Sequence, residues 1–253
     1  MRGRLRERLR VGRRRSTTAP ALDALGAIEA ALSYAPAPHE QEWIARIEAA
    51  RARLEGSDRL VRTLNSDYGI ADPEDGIYEE NVLSDLCRRA SKPQEAGTLL
   101  FALVRLLRPE RALELGTGVG ISAAYQGAAL RLNGRGHLVT IEVSAARAEI
   151  AREVLSGLSL TDVVDSRRGF FHDLAPDVLR NGVEYAFVDG HHDEKATLNY
   201  LNLIEPLLLS PGVVVFDDIT WSDGMQRAWA ALRTDTRVRA SCEAFGMGVC
   251  AYR

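Results

Sequence analysis

The sequence predicts an α/β protein: a doubly wound, mainly parallel seven-stranded sheet with a C-terminal antiparallel hairpin, preceded by a helical appendage. Three observations predict it. After Pro109, short apolar runs alternate with helical segments, the runs being 111–115, 137–142, 163–169, 185–190 and 212–218. Strands alternating with helices imply crossover connections and a parallel sheet. Next, the runs at 238–245 and 247–253 are separated by Gly246 alone, far too short a link for a crossover, so this pair must be antiparallel. Finally, the first strand runs into Gly116-Thr117-Gly118-Val119-Gly120, a tight strand-to-helix turn at the edge where such sheets meet their ligands.

The chain has 253 residues, enough for one main domain and an appendage. Residues 20–34, 40–64, 79–90 and 93–107 have helical periodicity, and 65–78 read as a loop rich in Asn, Asp, Gly and Pro. The expected division is a basic tail over 1–19, a helical cap or dimerisation element over 20–90, and the main domain over 91–253. Apolar faces on the first helices are compatible with a homodimer. Residues 1–15 hold eight arginines against one acid, which fits a solvated tail or an arm for an anionic partner. The net charge of −3 argues against a general nucleic-acid or membrane-surface binder. No stretch is long and apolar enough to span a bilayer, and the basic tail lacks a secretory core. Cys87, Cys242 and Cys250 have no metal-type spacing and fit reduced thiols in a cytoplasm. Abundant alanine, with arginine used almost to the exclusion of lysine, suggests a GC-rich bacterial genome.

The glycine-rich turn departs from the dinucleotide pattern, because Ile121 stands where the third glycine of G-x-G-x-x-G would be. Glu114, just before the turn, would repel a pyrophosphate and attract a cationic sulfonium ligand with an amino group. The plainer alternative is a helix start whose glycines serve packing only. Glu142 ends the second strand, where an acid can accept both hydroxyls of a ribose; a solvated or capping acid is the alternative. The third strand runs into Gly169-Phe170-Phe171-His172, where aromatic faces suit an adenine, although paired phenylalanines also suit a core.

The fourth and fifth strands end in Asp189 and in Asp217-Asp218. Neighbouring strands lie roughly 4.8 Å apart, so their tips bring three carboxylates together. Such a group needs either a proton or a cation among its oxygens. Hard oxygen ligands point to Mg²⁺, Mn²⁺ or Ca²⁺ and away from zinc. Helix capping by Asp217 or Asp218 is the competing reading. His192, three residues after Asp189, has the chemistry of a general base near neutral pH. His191 could take that place, or His192 could be structural.

Together these segments, ELGTGVGIS, IE, RRGFFHDL, FVDGHH and FDDITWSDGMQRAW, resemble the class I S-adenosylmethionine-dependent methyltransferases. The nearest pattern is that of the small metal-dependent O-methyltransferases related to the catechol and caffeoyl-CoA enzymes. The resemblance covers about residues 90–253 and implies a Rossmann-like sheet and S-adenosylmethionine as cofactor. It implies that Gly116, Thr117, Gly118 and Gly120 line the methionine portion, with Glu114 nearby and Ser122 at the helix start. Glu142 would hold the ribose, and Phe171 and His172 the adenine. Asp189, Asp217 and Asp218 would be ligands of Mg²⁺ or another divalent cation. Asp189 and His192 would carry O-methylation of a small-molecule hydroxyl. Two departures stand out: Asp218 where the family has asparagine, and His192 where it has a lysine base. Ser91 and Lys92 border the site with open roles, and Trp221 is either a wall of the acceptor pocket or core. Metal-independent methylation of nitrogen or carbon, and a non-catalytic interaction protein on this scaffold, are the alternatives. A nicotinamide dehydrogenase is disfavoured by Ile121, the paired aspartates and the terminal hairpin.

Overall fold

The computed structural model describes residues 23–64 and 77–252. The Arg-rich tail and nearly all of the loop expected at 65–78 lie outside the described residues. Two helices lead, α1 (Ala24–Leu32) and α2 (Pro38–Glu55). The Asp23 carboxylate accepts from the Gly26 N–H at 2.8 Å and so caps α1. Pro38 opens α2 with its φ already helical.

Here the structure corrects the helical reading of 40–64 and 79–90. The helix stops at Glu55, and Leu60–Leu64 is a strand, β1, paired antiparallel with β2 (Tyr78–Val82). Helix α3 (Leu83–Ala90) starts only after β2. Gly56-Ser57-Asp58 interrupts the helix, and LVRTL then buries Val61 and Thr63 with period two. A five-residue apolar run of that kind does not reveal its period by composition. Helix α4 (Gln94–Leu107) follows the elbow Ser91-Lys92-Pro93 and ends at Arg108 in the left-handed region.

The main sheet runs β3 (Arg111–Leu115), β4 (His137–Glu142), β5 (Val164–Arg168), β6 (Val183–Val188), β7 (Leu208–Phe216), β8 (Val238–Ala244) and β9 (Met247–Tyr252) in the chain. In space the order is β5-β4-β3-β6-β7-β9-β8. The pairs among β3 to β7 are parallel, and β9 is antiparallel to both its neighbours, β7 and β8. The predicted hairpin therefore turns back into the sheet, inserting β9 beside β7. Its turn, Phe245-Gly246, has φ of 54° and 77°, as a two-residue link between right-twisted strands requires.

The crossovers are α5 (Ile121–Asn133), α6 (Ala145–Gly157), α7 (Phe171–Leu179), α8 (Glu194–Ile204) and α9 (Asp223–Arg233). They cover both faces of the sheet. Tyr185, Phe187, Val213 and Val215 join the core under α1, α4 and α5, while Ala186, Val188, Val214 and Phe216 join the core under α7, α8 and α9. Strands buried on both faces read as continuous apolar runs without alternation, and burying each large side chain contributes about 1.5–3 kcal/mol. Ala24, Ile28 and Ala31 of α1 and Ile44 and Ile47 of α2 belong to the first of these cores. Among the described residues, no helix is long and apolar enough to cross a membrane.

Candidate active site

The order β4-β3-β6-β7 puts the carboxyl ends of four strands in one row, and the hydrogen-bond ladder continues past their last residues. The Asp189 N–H donates to Leu115 O at 2.8 Å, and the Asp217 N–H donates to Val188 O at 2.9 Å. Asp189 and Asp217 are thereby held side by side at neighbouring tips. A cleft of about 720 Å³ opens above this row, lined among others by Lys92, Gly116, Gly118, Glu142, His192 and Asp218.

The glycine turn is shaped by what lies against it. A Cβ on Gly116 (φ 100°) would sit 1.8 Å from Asp189 O, and one on Gly120 (φ 86°) 2.8 Å from the Cα of Ala151. These two glycines are therefore imposed by the neighbouring backbone. Gly118 differs: its nearest neighbour would be Ala90 O at 3.6 Å, so it leaves room in the cleft. Its N–H donates to Glu142 Oε2 at 3.0 Å, and the Ser144 N–H donates to Oε1 at 2.9 Å. Both Glu142 oxygens are thus aimed and still have lone pairs for the hydroxyls of a ribose. Burial pushes the Glu142 carboxyl above its ordinary range.

Four predicted cofactor residues do not line the cleft. Glu114 is fully buried behind the turn, accepting from Gln126 Nε2 at 2.7 Å and Thr140 Oγ1 at 2.5 Å. Burial raises its pKa to about 7. Thr117 bonds to Thr140 Oγ1 at 2.6 Å, and Gly120 and Ser122 start α5 behind the turn. Expected contacts from these four to the cofactor become support of the turn from behind, because β3 directs Glu114 into the α5 side of the sheet.

On the opposite side of the cleft Phe171 and His172 are both present, joined by Phe170, which the sequence reading had not singled out as a site residue. Phe170 stacks on His172 with centroids 5.3 Å apart, while Phe171 packs edge-on to Tyr200 and fills the space over Gly190.

The acid cluster holds the largest surprise. Lys92 Nζ lies 2.5 Å from Asp217 Oδ2 and 2.8 Å from Asp218 Oδ1. The Asp217 side chain is fully buried, with Oδ2 held by that ammonium and no hydrogen bond to Oδ1 among the described residues. Burial, then the Asp217 carboxylate, push Asp189 well above the usual carboxylate range. Burial alone would lower the Lys92 pKa, but attraction to Asp217 and then Asp189 outweighs it and raises the group above its ordinary value. The sequence reading offered a proton or a cation for this knot; the structure places a lysine in it. A divalent ion needs about six oxygen ligands converging on one point, and here an ammonium sits where the carboxylates converge. Among the described residues, no group of three His, Cys, Asp or Glu side chains is arranged to hold an ion. The residues as placed therefore do not fit the metal that the sequence resemblance implied. Capping of α9 falls to neither aspartate, since Ser222 Oγ accepts from the Met225 N–H at 3.2 Å.

His192 Nε2 lies 3.8 Å from Asp189 Oδ1 and 3.6 Å from Asp218 Oδ2, on the cleft wall. His191 is occupied elsewhere, its Nδ1 2.6 Å from the Tyr200 hydroxyl. Trp221 is 72% exposed beside His192, with centroids 6.2 Å apart, which removes the core alternative. Asp218 and His191 both have positive φ, 50° and 41°, backbone strain of the kind that clusters at sites. The signal that could have exposed the role of Lys92 is compositional: it is one of two lysines among 32 lysines and arginines, and a compact ammonium is not interchangeable with a planar guanidinium.

Residues 113–219 match the family model described as a methyltransferase domain. An O-methyltransferase of Aspergillus hancockii, hkm8, is 27% identical over 60% of this chain, and a catechol O-methyltransferase of Niastella koreensis is 31% identical over 51% of it. The chain spans 60% and 57% of the lengths of these two relatives. An O-methyltransferase from Bacillus cereus, solved in complex with SAH, superposes with a TM-score of 0.57 at 18% identity, covering 90% of this chain and 97% of that one. The fold is that of the class I methyltransferases.

Proposed function

We propose that this chain, whose residues 113–219 carry the methyltransferase domain of the class I fold, moves the methyl group of S-adenosylmethionine to a hydroxyl oxygen of a small molecule. The observation that carries this reading is the shared cleft: the open face of the glycine turn, the aimed carboxylate of Glu142 and the His192–Asp218 pair all line it. Gly118 and Glu142 would hold the methionine and ribose portions, and Phe170 and His172 the adenine. The O-methyltransferase relatives support oxygen as the acceptor atom.

The chain's residues assign the rest. His192 takes the hydroxyl proton as general base, steered by the carboxylates within 4 Å of its Nε2. The acceptor oxygen then forms a bond to the methyl carbon as the carbon–sulfur bond breaks and its electron pair goes to sulfur. The products are the methyl ether, S-adenosylhomocysteine and one proton. Trp221, exposed at the rim, walls the acceptor. A divalent cation takes no step here, since Lys92 occupies the centre of the acid cluster.

Calorimetric titration with S-adenosylmethionine tests the reading directly. Wild type should bind one equivalent, and Glu142→Ala should bind about 10- to 100-fold more weakly, the worth of hydrogen bonds to a charged group. Wild type that binds neither S-adenosylmethionine nor S-adenosylhomocysteine would sink it. A screen of vicinal-diol and phenol acceptors with a labelled methyl group then identifies the substrate.

A further inference from the structure

We propose that Lys92 is a built-in cation that replaces a divalent metal in this site: its ammonium holds the acid cluster together and offers its remaining N–H to the acceptor's oxygen. The inference deepens the methyl-transfer reading above and rests on it only for the identity of the acceptor.

The argument is one of geometry and charge. Three carboxylates meet at the tips of β6 and β7, and one of them, Asp217, is fully buried in its side chain, with Oδ2 against the Lys92 ammonium and no hydrogen bond to Oδ1 among the described residues. A buried carboxylate without a partner is strongly unfavourable, so something cationic must sit there. Lys92 reaches it from a fixed place. Ser91 N–H closes the end of α3 on Cys87 O at 3.0 Å, and Pro93 locks the start of α4, so the residue between them is aimed at the cleft. An ammonium has three donors. Asp217 and Asp218 take two, at 2.5 and 2.8 Å. Lys92 lines the cleft with 17% of its side chain exposed, so the third donor has access to a ligand there.

A metal-bound hydroxyl is oriented and its developing negative charge is stabilised by the ion. A lysine beside the base does the same work more weakly, by one hydrogen bond and one unit of charge. His192, within 3.6 Å of Asp218 Oδ2, is on the same wall to receive the proton. The second aspartate of the pair, Asp218, then has a reason. The additional carboxylate fixes a lysine that an amide would hold less firmly.

The test needs no acceptor. Mn²⁺ is titrated into the full chain, followed by calorimetry and by the electron paramagnetic resonance of the free ion. Wild type should show no saturable site below millimolar Mn²⁺. Lys92→Ala should gain one equivalent of Mn²⁺ binding, and adding Asp217→Ala to that variant should abolish it again. Lys92→Met, of similar length, repeats the measurement should the alanine variant unfold, and melting curves monitor both. Saturable Mn²⁺ binding by wild type that Asp217→Ala removes would overturn the proposal. So would a folded Lys92→Ala or Lys92→Met variant that binds no Mn²⁺. S-adenosylmethionine titrated into the same samples separates the two ideas: no donor binding by wild type defeats the methyl-transfer reading while leaving the Mn²⁺ result intact.

Discussion

Two of the buried ion-pair clusters among the described residues are built on opposite plans. In the first, Glu40 of α2 faces Arg105 of α4, with Arg105 Nε donating to Oε1 at 2.7 Å. The Tyr34 hydroxyl donates to both Glu40 oxygens at 2.8 Å, and the Ala37 N–H donates to Oε2 at 2.9 Å. Arg105 also donates to Asn133. One charge meets one charge and the carboxylate is saturated with donors. In the second, one lysine faces three aspartates, and Oδ1 of the fully buried Asp217 has no hydrogen bond among the described residues. The lesson is about purpose. A saturated, neutral cluster joins the leading helices to the sheet domain, whereas an acid-rich and unsaturated one is left with capacity to bind something. Satisfied polar groups rigidify, and unsatisfied ones mark sites.

The largest expected effect tests the first cluster. Arg105→Met should destabilise the chain by about 3–5 kcal/mol, because it strands a buried Glu40 charge, while donor binding in the cleft is retained. Urea denaturation followed by circular dichroism measures it. Glu40 also predicts a pH signature. Burial pushes its carboxyl up, but the Ala37 N–H and Arg105 outweigh that and hold it below the ordinary 4.5. Its stabilisation is therefore present above that value and lost as pH falls through the lower folded one. A loss under about 1 kcal/mol for Arg105→Met would mean that the balanced cluster holds nothing together.

A third buried acid sharpens the contrast, because it has neither a cation nor access to the cleft. Glu114 accepts from the neutral side chains of Gln126 and Thr140, and burial raises it from 4.5 to about 7. The sign follows from that shift. The folded state holds the proton more tightly, so this contribution is complete below pH 4.5 and disappears as pH rises to about 7. The shift corresponds to about 3 kcal/mol. Glu114→Gln should remove that slope and exceed wild type in stability at pH 8, with the Thr140 hydroxyl turning to accept. Parallel stability curves for the two proteins between pH 4.5 and 8 would contradict the assignment.

The three acids also show how far the sequence could be read. The mainly parallel sheet and its terminal hairpin were legible because parallel strands buried on both faces appear as apolar runs, and because Gly246 leaves no room for a crossover. The convergence of Asp189 and Asp217 followed from strand neighbours alone. β1 and β2 were not legible: Leu60–Leu64 is too short to separate period two from helical spacing, and its partner lies beyond a long loop. The direction of Glu114 was missed because an acid before a glycine turn can face either side of the sheet. The role of Lys92 stayed open for a different reason. Its distance in sequence from Asp218 is 126 residues, and no local pattern encodes an ion pair closed by the elbow between α3 and α4.

The smallest expected effect discriminates most finely between an internal cation and a metal site. Asp218 is the more exposed of the two aspartates paired with Lys92, with 27% of its side chain accessible against none for Asp217. Exposed pairs contribute under about 1 kcal/mol, so Asp218→Asn should leave the melting temperature almost unchanged. Asp217 still holds the ammonium in that variant, so no Mn²⁺ site should appear, even though the side chains at Asp189, Asp217 and position 218 then match the ligand set that the sequence resemblance implies. Mn²⁺ binding by Asp218→Asn at the strength reached by Lys92→Ala would show that charge count, and not the lysine's position, decides what the cluster holds. The same substitution loosens the hold on one ammonium donor, since an amide oxygen accepts more weakly than a carboxylate, so acceptor affinity should change more than donor affinity. Titrating both ligands into the variant, once the acceptor screen has found a substrate, reads that difference.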